Sequence, residues 1–342
     1  MRVGLRCDAS PTSGVGHLVR CLALADELRA RSAQVCVLGT VEGVDWLVAQ
    51  VAARGIAVHD APAEPTALVT LARGLRLDAV VVDGYGIDGG TGAALRGAGI
   101  RVLSLVDGPF GAGQDSDVVL DQNLGAVPDP GLPRRTTALA GLPYALFRDE
   151  VLAHQPQGPR AQPAGAPRAL AVFGGTDPYA ASTTLVPLLL ATGAPVEVVA
   201  VAANPLLAEQ LRALPTGPGQ SLEAIAPTPD LAALAAGCDL AVSAAGSSVW
   251  ELLCLGVPTA VVAVVDNQEV GYRQVLAQDV VVGLGRLNDL RAPGPDADAA
   301  VHALTRLLTD PGERTRLSDR GRALVDGRGR ARVADALLAT LR

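Results

Sequence analysis

The sequence predicts an α/β protein of two domains, each built on a parallel sheet covered by helices. The chain has 342 residues, which suits two hydrophobic cores better than one. Short β-branched runs alternate with amphipathic stretches in the first half, and the same alternation restarts in the second half. A stretch rich in Pro, Gln, Gly and Ala separates the halves. We therefore expect a first domain at 1–152, a linker at 153–167 and a second domain at 168–342.

The strands are expected where apolar runs end in turn-forming residues. In the first domain these runs are 3–7, 34–38, 57–59, 79–83, 102–106 and 118–120. In the second domain they are 169–173, 196–201, 221–226, 240–243 and 259–264. A helix is expected at 17–31, where apolar residues recur on one face, and the tail from 297 predicts helices broken near 310–312 and 326–327. Such paired sheets are expected to bind ligands in a cleft at the carboxyl ends of their strands.

The composition excludes several classes of function. Every basic residue is Arg, so no P-loop lysine or Schiff-base lysine exists. A net charge of −7 without a large basic cluster gives little support to a nucleic-acid partner. The five Cys residues include no C-x-x-C pair, which favours reduced thiols over zinc, and we expect no metal and no cofactor. No apolar stretch is long enough to cross a bilayer and no signal-peptide pattern is visible, so a cytoplasmic protein without membrane insertion is expected.

The loop after the first strand is the first candidate ligand site. Gly14 and Gly16 allow a ligand to approach the backbone closely, and the following helix presents unpaired N–H groups. A dinucleotide fingerprint would need a small residue at Val19 and an acidic residue near Gly39. NAD and FAD are therefore not expected.

His17 is the candidate general base. It stands at the start of a helix, where the helix dipole disfavours the imidazolium and favours the neutral ring that a base requires. A histidine that merely caps or hydrogen-bonds the loop would have the same position. Position alone leaves both readings open.

Asp83 and Tyr85 follow the fourth strand. Asp83 lies where that buried strand ends and either faces the ligand or caps the next turn. Tyr85 is flanked by glycines in a chain poor in aromatic residues, so we expect it to contact substrate or the facing domain.

Three loops of the second domain have residues suited to a nucleotide. After the first strand, the N–H groups of a glycine pair and its neighbours suit a phosphate or a uracil edge: Gly174, Gly175, Thr176 and Asp177. After the fourth strand, small residues and a helix start suit a pyrophosphate: Ala245, Gly246, Ser247 and Ser248. Glu251 either binds ribose hydroxyls or completes an S-x-x-E capping box with Ser248. After the fifth strand, Asn267 and Gln268 either contact sugar or phosphate or belong to a helix start capped by Asp266 or Asn267.

Taken together, six ordered motifs resemble a known family. They are RCDASPTSGVGHLVRCL at 6–22, DGYGID at 83–88, DQN at 121–123, GLPYALFRDE at 141–150, FGGTD at 173–177 and DNQE at 266–269. This order is similar to that of the UDP-sugar hydrolases of pseudaminic-acid biosynthesis and the related spore-coat polysaccharide proteins. The resemblance implies the GT-B architecture of MurG-type glycosyltransferases, with two Rossmann-like domains facing a central cleft.

The resemblance also implies a reaction. It is metal-independent hydrolysis of UDP-2,4-diacetamido-2,4,6-trideoxy-β-L-altropyranose, by water attack at the anomeric carbon. His17 would activate the water, Tyr85 and Asn267 would be further catalytic residues, and the second-domain loops would hold UDP. Four residues near the expected sugar are assigned to substrate binding: Arg6, Asp8, Arg20 and Asp83.

The sequence leaves other functions open. An inverting glycosyltransferase would use the same base on an acceptor hydroxyl, and the region beyond about residue 280 is longer than the hydrolase requires. A sugar-nucleotide-binding protein without activity is a third possibility, against which the set His17, Tyr85 and Asn267 argues. The sugar and the oligomeric state are not determined by the sequence.

Overall fold

The chain forms two compact units in a computed structural model that describes residues 1–10, 15–106, 113–162, 164–174 and 177–341. The first unit consists of Met1–Asp149 and Gly327–Arg342, and the second of Glu150–Asp326. These units differ from the expected boundaries mainly at the C-terminus. The sequence assigned residues 327–342 to the second domain, whereas the structure places them with the first.

Each unit contains one parallel sheet within the described residues. The first sheet has the order β3-β2-β1-β4-β5-β6-β7, and the second has the order β10-β9-β8-β11-β12-β13. The strands of the first sheet are β1 (Arg2–Arg6), β2 (Gln34–Leu38), β3 (Ala57–His59), β4 (Ala79–Val82), β5 (Arg101–Leu105), β6 (Val118–Asp121) and β7 (Thr137–Ala140). Those of the second are β8 (Arg168–Val172), β9 (Val196–Val201), β10 (Gln220–Ile225), β11 (Leu240–Ala244), β12 (Thr259–Ala263) and β13 (Val282–Arg286). Both orders contain the 3-2-1-4-5-6 arrangement of the Rossmann fold.

Helices alternate with these strands, as parallel crossovers require. In the first half they are α1 (Gly16–Ala30), α2 (Asp45–Ala53), α3 (Pro65–Gly74), α4 (Thr91–Gly97) and α5 (Asp149–Ala153). The second half contains α6 (Ser182–Leu190), α7 (Pro205–Arg212), α8 (Leu231–Ala236), α9 (Ser248–Cys254), α10 (Glu269–Ala277), α11 (Leu287–Leu290), α12 (Pro295–Thr309), α13 (Pro311–Leu324) and α14 (Gly329–Ala339). Short 3₁₀ helices occur at Leu142–Tyr144 and Asp266–Gln268. Among the described residues, none of the helices combines the length and the apolar character needed to cross a bilayer.

The predicted face of α1 is the face that the structure buries. Leu18, Cys21, Leu22, Ala25 and Leu28 are all almost inaccessible, and they belong to the core cluster on one side of the first sheet. This packing fixes the start of α1 beside the end of β1.

The last helix, α14, packs on α1 within the first unit. Its buried side chains Val333 and Leu337 join the core cluster of α1. Gly329 begins the helix, and a Cβ there would lie 2.2 Å from the carbonyl oxygen of Ala145. Only a residue without a side chain allows this close approach.

The segment 155–167 has no helix or strand among its described residues, but it is held to the second unit. The guanidinium of Arg160 donates to the carbonyls of Leu255, at 3.2 Å, and Ala236, at 2.8 Å, and also to that of Cys238. These carbonyls lie at the C-terminal ends of α8 and α9, where a cation is favourable. The part of the expected linker around Arg160 is therefore hydrogen-bonded to the second unit.

Strands β7 and β13 were missed in the sequence. The first has the sequence TALA and the second VGLGR, and neither shows a long apolar run. Both are edge strands, which pair with one neighbouring strand and therefore need fewer β-branched residues to pack in the sheet.

Candidate active site

The strand order of the first unit places two of the predicted loops side by side. β1 and β4 are hydrogen-bonded neighbours, and the chain leaves them toward opposite halves of the sheet. Ligands of open α/β sheets bind at such a switch point, outside the carboxyl ends of the strands. His17 follows β1 and Asp83 follows β4, so the fold brings together two residues that are 66 positions apart.

His17 and Asp83 form a buried hydrogen-bonded pair. Nδ1 of His17 lies 2.7 Å from Oδ1 of Asp83, and the two residues are 8 % and 1 % exposed. An ionised carboxylate can only accept, so the proton between the two atoms belongs to Nδ1. A neutral ring with its proton on Nδ1 has its lone pair on Nε2, to which no described residue donates. This is the arrangement of a general base held by a carboxylate.

Arg20 binds the same carboxylate with both ends of its guanidinium. Nε donates to Oδ2 of Asp83 at 2.6 Å, and Nη2 donates to Oδ1 at 2.5 Å. Nη2 also lies 3.1 Å from Nδ1 of His17. Burial acts to raise the pKa of Asp83, but the hydrogen bonds from Arg20 and His17 outweigh it, and the pKa lies below its ordinary value. Asp83 is therefore ionised at neutral pH.

Tyr85 packs edge-on against the ring of His17. The ring centroids are 4.5 Å apart and the planes meet at 85°. Tyr85 is nevertheless 52 % exposed, so much of its ring remains available to solvent or to a ligand. The expected contact of Tyr85 is thus, in part, a contact with His17 itself.

Arg6 and Asp8 form an ion pair at the end of β1. Nη1 of Arg6 donates to Oδ2 of Asp8 at 2.8 Å, and Oδ1 of Asp8 accepts from the backbone N–H of Thr40 at 2.9 Å. The pair ties the loop after β1 to the loop after β2. Asp8 keeps 42 % of its side chain exposed, whereas Arg6 is buried.

The second unit has its own switch point, between β8 and β11. Gly174 follows β8 with a φ of +76°, a conformation that favours glycine. Predictions for Gly14, Gly175 and Thr176 lie outside the described residues. Asp177 is buried and accepts from Ala181 N and from both N and Oγ of Ser182, at 2.6 to 3.0 Å. Its carboxylate therefore binds the backbone at the start of α6, and the expected ligand contact of Asp177 stays a prediction.

The loop after β11 places small residues at the same edge. Ser247 is the N-cap of α9 and its side chain makes no capping hydrogen bond, while Ser248 already lies inside the helix. This register differs from the capping box that the sequence suggested for Ser248 and Glu251. Glu251 lies in the first turn of α9.

The loops after β11 and β12 lie next to each other. A Cβ built at Gly246 would lie 3.8 Å from Nε2 of Gln268, whose Oε1 accepts from the backbone N–H of Val264 at 3.0 Å. The backbone of Asn267 belongs to the 3₁₀ helix Asp266–Gln268, and the prediction for its side chain lies outside what the structure describes. The structure thus brings Ala245, Gly246 and Gln268 to one edge of the second sheet.

One neighbour of the first site was missed in the sequence. The thiol of Cys21 donates to Oδ2 of Asp83 at 3.6 Å. A hydrogen bond with the thiol of Cys7 and burial both raise the pKa of Cys21, so it remains a thiol. The spacing of four residues between His17 and Cys21 on α1 was the available signal. In the described part of the chain, His, Cys, Asp and Glu side chains form no group of three or more that could hold a metal ion.

Comparison with known proteins identifies the fold. The chain is similar to MurG of Acinetobacter baumannii, with a TM-score of 0.70, 18 % identity and 99 % of each chain covered. It is also similar to Arabidopsis thaliana UGT89C1 complexed with UDP-L-rhamnose, with a TM-score of 0.65, 15 % identity, and 99 % of this chain and 98 % of that chain covered. The UDP-GlcNAc 2-epimerase of Neisseria meningitidis bound to UDP-GlcNAc gives a TM-score of 0.66, 12 % identity and coverage of 99 % and 100 %. No protein-family model and no curated protein sequence matches the chain. The predicted α/β class with two Rossmann-like sheets and the GT-B fold is confirmed.

Proposed function

We propose that this protein hydrolyses a UDP-activated amino sugar at its anomeric C–O bond and that His17 activates the water. The observation that carries the proposal is the hydrogen bond between Nδ1 of His17 and Asp83. It directs the proton to Nδ1 and leaves Nε2 as the acceptor, which is the state needed to take a proton from water. The six ordered motifs favour the pseudaminic-acid type of hydrolase, and the substrate expected from them is the UDP-linked 2,4-diacetamido-2,4,6-trideoxy sugar.

The roles of the remaining residues follow from this proposal. Tyr85, exposed beside the ring of His17, borders the sugar, and Asn267 is the further catalytic residue in the second unit. UDP is held by the second unit through the backbone at Gly174 and Gly246, and Glu251 binds the ribose hydroxyls. No Lys is available in this chain, so backbone N–H groups provide much of the phosphate binding. The leaving diphosphate then receives its developing charge where donors are already oriented.

A glycosyltransferase is the second candidate. The fold similarity to MurG covers 99 % of each chain, including the C-terminal region that the hydrolase motifs do not cover. In that reaction Nε2 of His17 would take the proton of an acceptor hydroxyl instead of water. The two candidates share the base and the nucleotide site, and they differ only in the nucleophile.

The position of ¹⁸O in the products, together with the need for an acceptor, decides between these candidates. The purified protein is incubated with a panel of UDP-amino sugars in ¹⁸O-water containing EDTA, and UDP release is followed together with the position of the isotope. Isotope in the free sugar supports anomeric hydrolysis. Isotope in UDP means that the P–O bond was cleaved and contradicts the role of His17. UDP release that requires an added acceptor favours the glycosyltransferase.

A further inference from the structure

The carboxylate of Asp83 has an unusual number of donors. Within the described residues, four atoms from three side chains of α1 lie on its two oxygens: Nδ1 of His17, Nε and Nη2 of Arg20, and Sγ of Cys21. The backbone N–H of Asp83 is used separately, because it donates to the carbonyl of Arg6 at 3.0 Å. The side chain of Asp83 therefore does not cap its own turn but accepts hydrogen bonds from side chains of α1.

The charge of Asp83 depends on Arg20. The residue is 1 % exposed, and burial alone disfavours an ionised carboxyl group. Arg20 is the permanent cation among these donors, because a guanidinium stays protonated and Cys21 is a thiol. The groups that face Asp83 from the elements around it are His17, Arg20 and Cys21 on α1, Cys7 behind Cys21, and Tyr85 on its own loop.

We propose that Arg20 is a positioning residue that keeps Nε2 of His17 free of a proton at neutral pH, by holding Asp83 ionised against Nδ1. Without the guanidinium, the buried pair of His17 and Asp83 takes up one extra proton. That proton leaves either a carboxylic acid that donates to Nδ1 or an imidazolium beside a carboxylate. In both forms Nε2 carries a proton, so the base is lost.

This proposal changes the role that the sequence gave to Arg20 and Asp83. Both were assigned to substrate binding, whereas the geometry directs Arg20 at Asp83 and Asp83 at His17. In this proposal Arg20 acts on the reaction through these two residues. The consequence for catalysis rests on the proposed function, but the protonation of His17 can be measured without any substrate.

The test is the protonation of the His17 ring in ¹⁵N-labelled protein at pH 7. The ¹⁵N shifts of His17 are assigned by their loss in His17→Ala and separate a protonated from an unprotonated Nε2. We expect Nδ1–H and a bare Nε2 in the wild type, a protonated Nε2 in Arg20→Gln, and the wild-type pattern in Arg20→Lys, which retains the charge. A bare Nε2 in Arg20→Gln, or a protonated Nε2 in the wild type, would overturn the proposal. A protonated Nε2 in Arg20→Lys would also overturn it, because charge would not be the cause.

Arg54→Gln is the matched control. Arg54 makes a comparable two-ended ion pair with Asp26 on α1, at 2.9 Å through both Nε and Nη2, and this pair does not involve Asp83. The His17 signals should be unchanged in this variant. If Arg20→Gln does not fold, a protonated Nε2 in the wild type or in Arg20→Lys still overturns the proposal.

Activity gives the second measurement. Arg20→Gln should lower turnover at pH 7 by about 10² to 10⁴-fold, the usual contribution of a general base. Turnover should recover at higher pH. The acidic side of the pH–turnover profile should move up by roughly one to three pH units, because Asp83 then ionises without its cation. Arg20→Lys should stay within about tenfold of the wild type, because the charge remains although the two-ended geometry is lost. If no UDP-sugar is turned over by the wild type, the proposed function fails while the ¹⁵N result still stands.

Discussion

The two units contain the same strand order but use their switch points differently. At the edge between β1 and β4, the first unit has polar and aromatic side chains that contact one another: His17, Asp83, Arg20 and Tyr85. At the edge between β8 and β11, the second unit has small residues. Its buried carboxylate, that of Asp177, accepts hydrogen bonds from Ala181 and Ser182 at the start of α6. The same topology thus holds a hydrogen-bonded group of polar side chains in one unit and small residues in the other. The fold determines where a ligand binds, and the loop residues determine what the site can do.

This contrast predicts that variants in the first unit change turnover. His17→Ala should reduce turnover by about 10² to 10⁴-fold, because the acceptor of the proton is removed. The dissociation constant for UDP, measured by calorimetry, should change little. His302→Ala is the matched control, because His302 lies exposed on α12. A large loss of UDP binding in His17→Ala would make His17 a structural residue.

Variants in the second unit should instead change affinity. Gly246→Val covers the backbone after β11, and its Cβ would meet only Nε2 of Gln268 at an ordinary distance. We expect UDP to bind about tenfold more weakly or worse, because hydrogen bonds to a charged ligand are each worth roughly 1.5 to 3 kcal/mol.

Gly237→Val serves as the control for Gly246→Val. Gly237 ends α8, ahead of β11, and its nearest neighbour would be the carbonyl of Leu234 at 3.5 Å. Equal losses of UDP affinity in the two variants would show that the effect is not local to the loop after β11.

A substitution at the start of α14, which packs in the first unit, should have a large effect on stability. In Gly329→Ala the new Cβ would lie 2.2 Å from the carbonyl oxygen and 2.5 Å from the amide nitrogen of Ala145, and backbone atoms cannot move aside cheaply. We expect the free energy of unfolding to fall by about 1 to 3 kcal/mol, measured by urea denaturation.

Gly271→Ala is the matched control, since nothing lies within 4 Å of its Cβ position in α10. This variant should be neutral or more stable by roughly 0.5 to 1 kcal/mol. A fully stable Gly329→Ala would mean that α14 does not need its close approach to Ala145.

In both units the sequence revealed the strands better than it revealed contacts between distant residues. The strand edges were predicted within about two residues in most cases, because buried parallel strands are continuous apolar runs. The role of Arg20 was not predicted, since its partner Asp83 is 63 positions away and only the sheet order joins them. The sequence also left open, for the same reason, whether α14 packs on the first unit. Amphipathic periodicity reveals that a helix packs, but not on which unit.

The ionised state of Asp83 predicts a pH dependence of stability. A carboxyl group whose folded pKa is lowered contributes stability above its unfolded pKa, about 3.9, and loses it as pH falls through the folded pKa. Wild type and Asp83→Asn should therefore differ most near neutral pH, and the difference should shrink below about pH 4. Urea denaturation between pH 7 and pH 3 measures this. A constant difference would show that the charge of Asp83 is not what stabilises the folded state.

The smallest expected effect compares one buried serine from each sheet. The hydroxyl of Ser243, in β11, has no hydrogen-bond partner among the described residues, whereas Ser104, in β5, accepts from Oγ of Ser116 at 2.9 Å. A buried hydroxyl without a partner costs free energy, so Ser243→Ala should leave the stability unchanged or raise it by up to about 1 kcal/mol. Ser104→Ala should lower stability by about 1 kcal/mol, because it removes the partner of Ser116. Urea denaturation of both variants measures the difference, and equal losses would mean that Ser243 is also hydrogen-bonded in the folded protein.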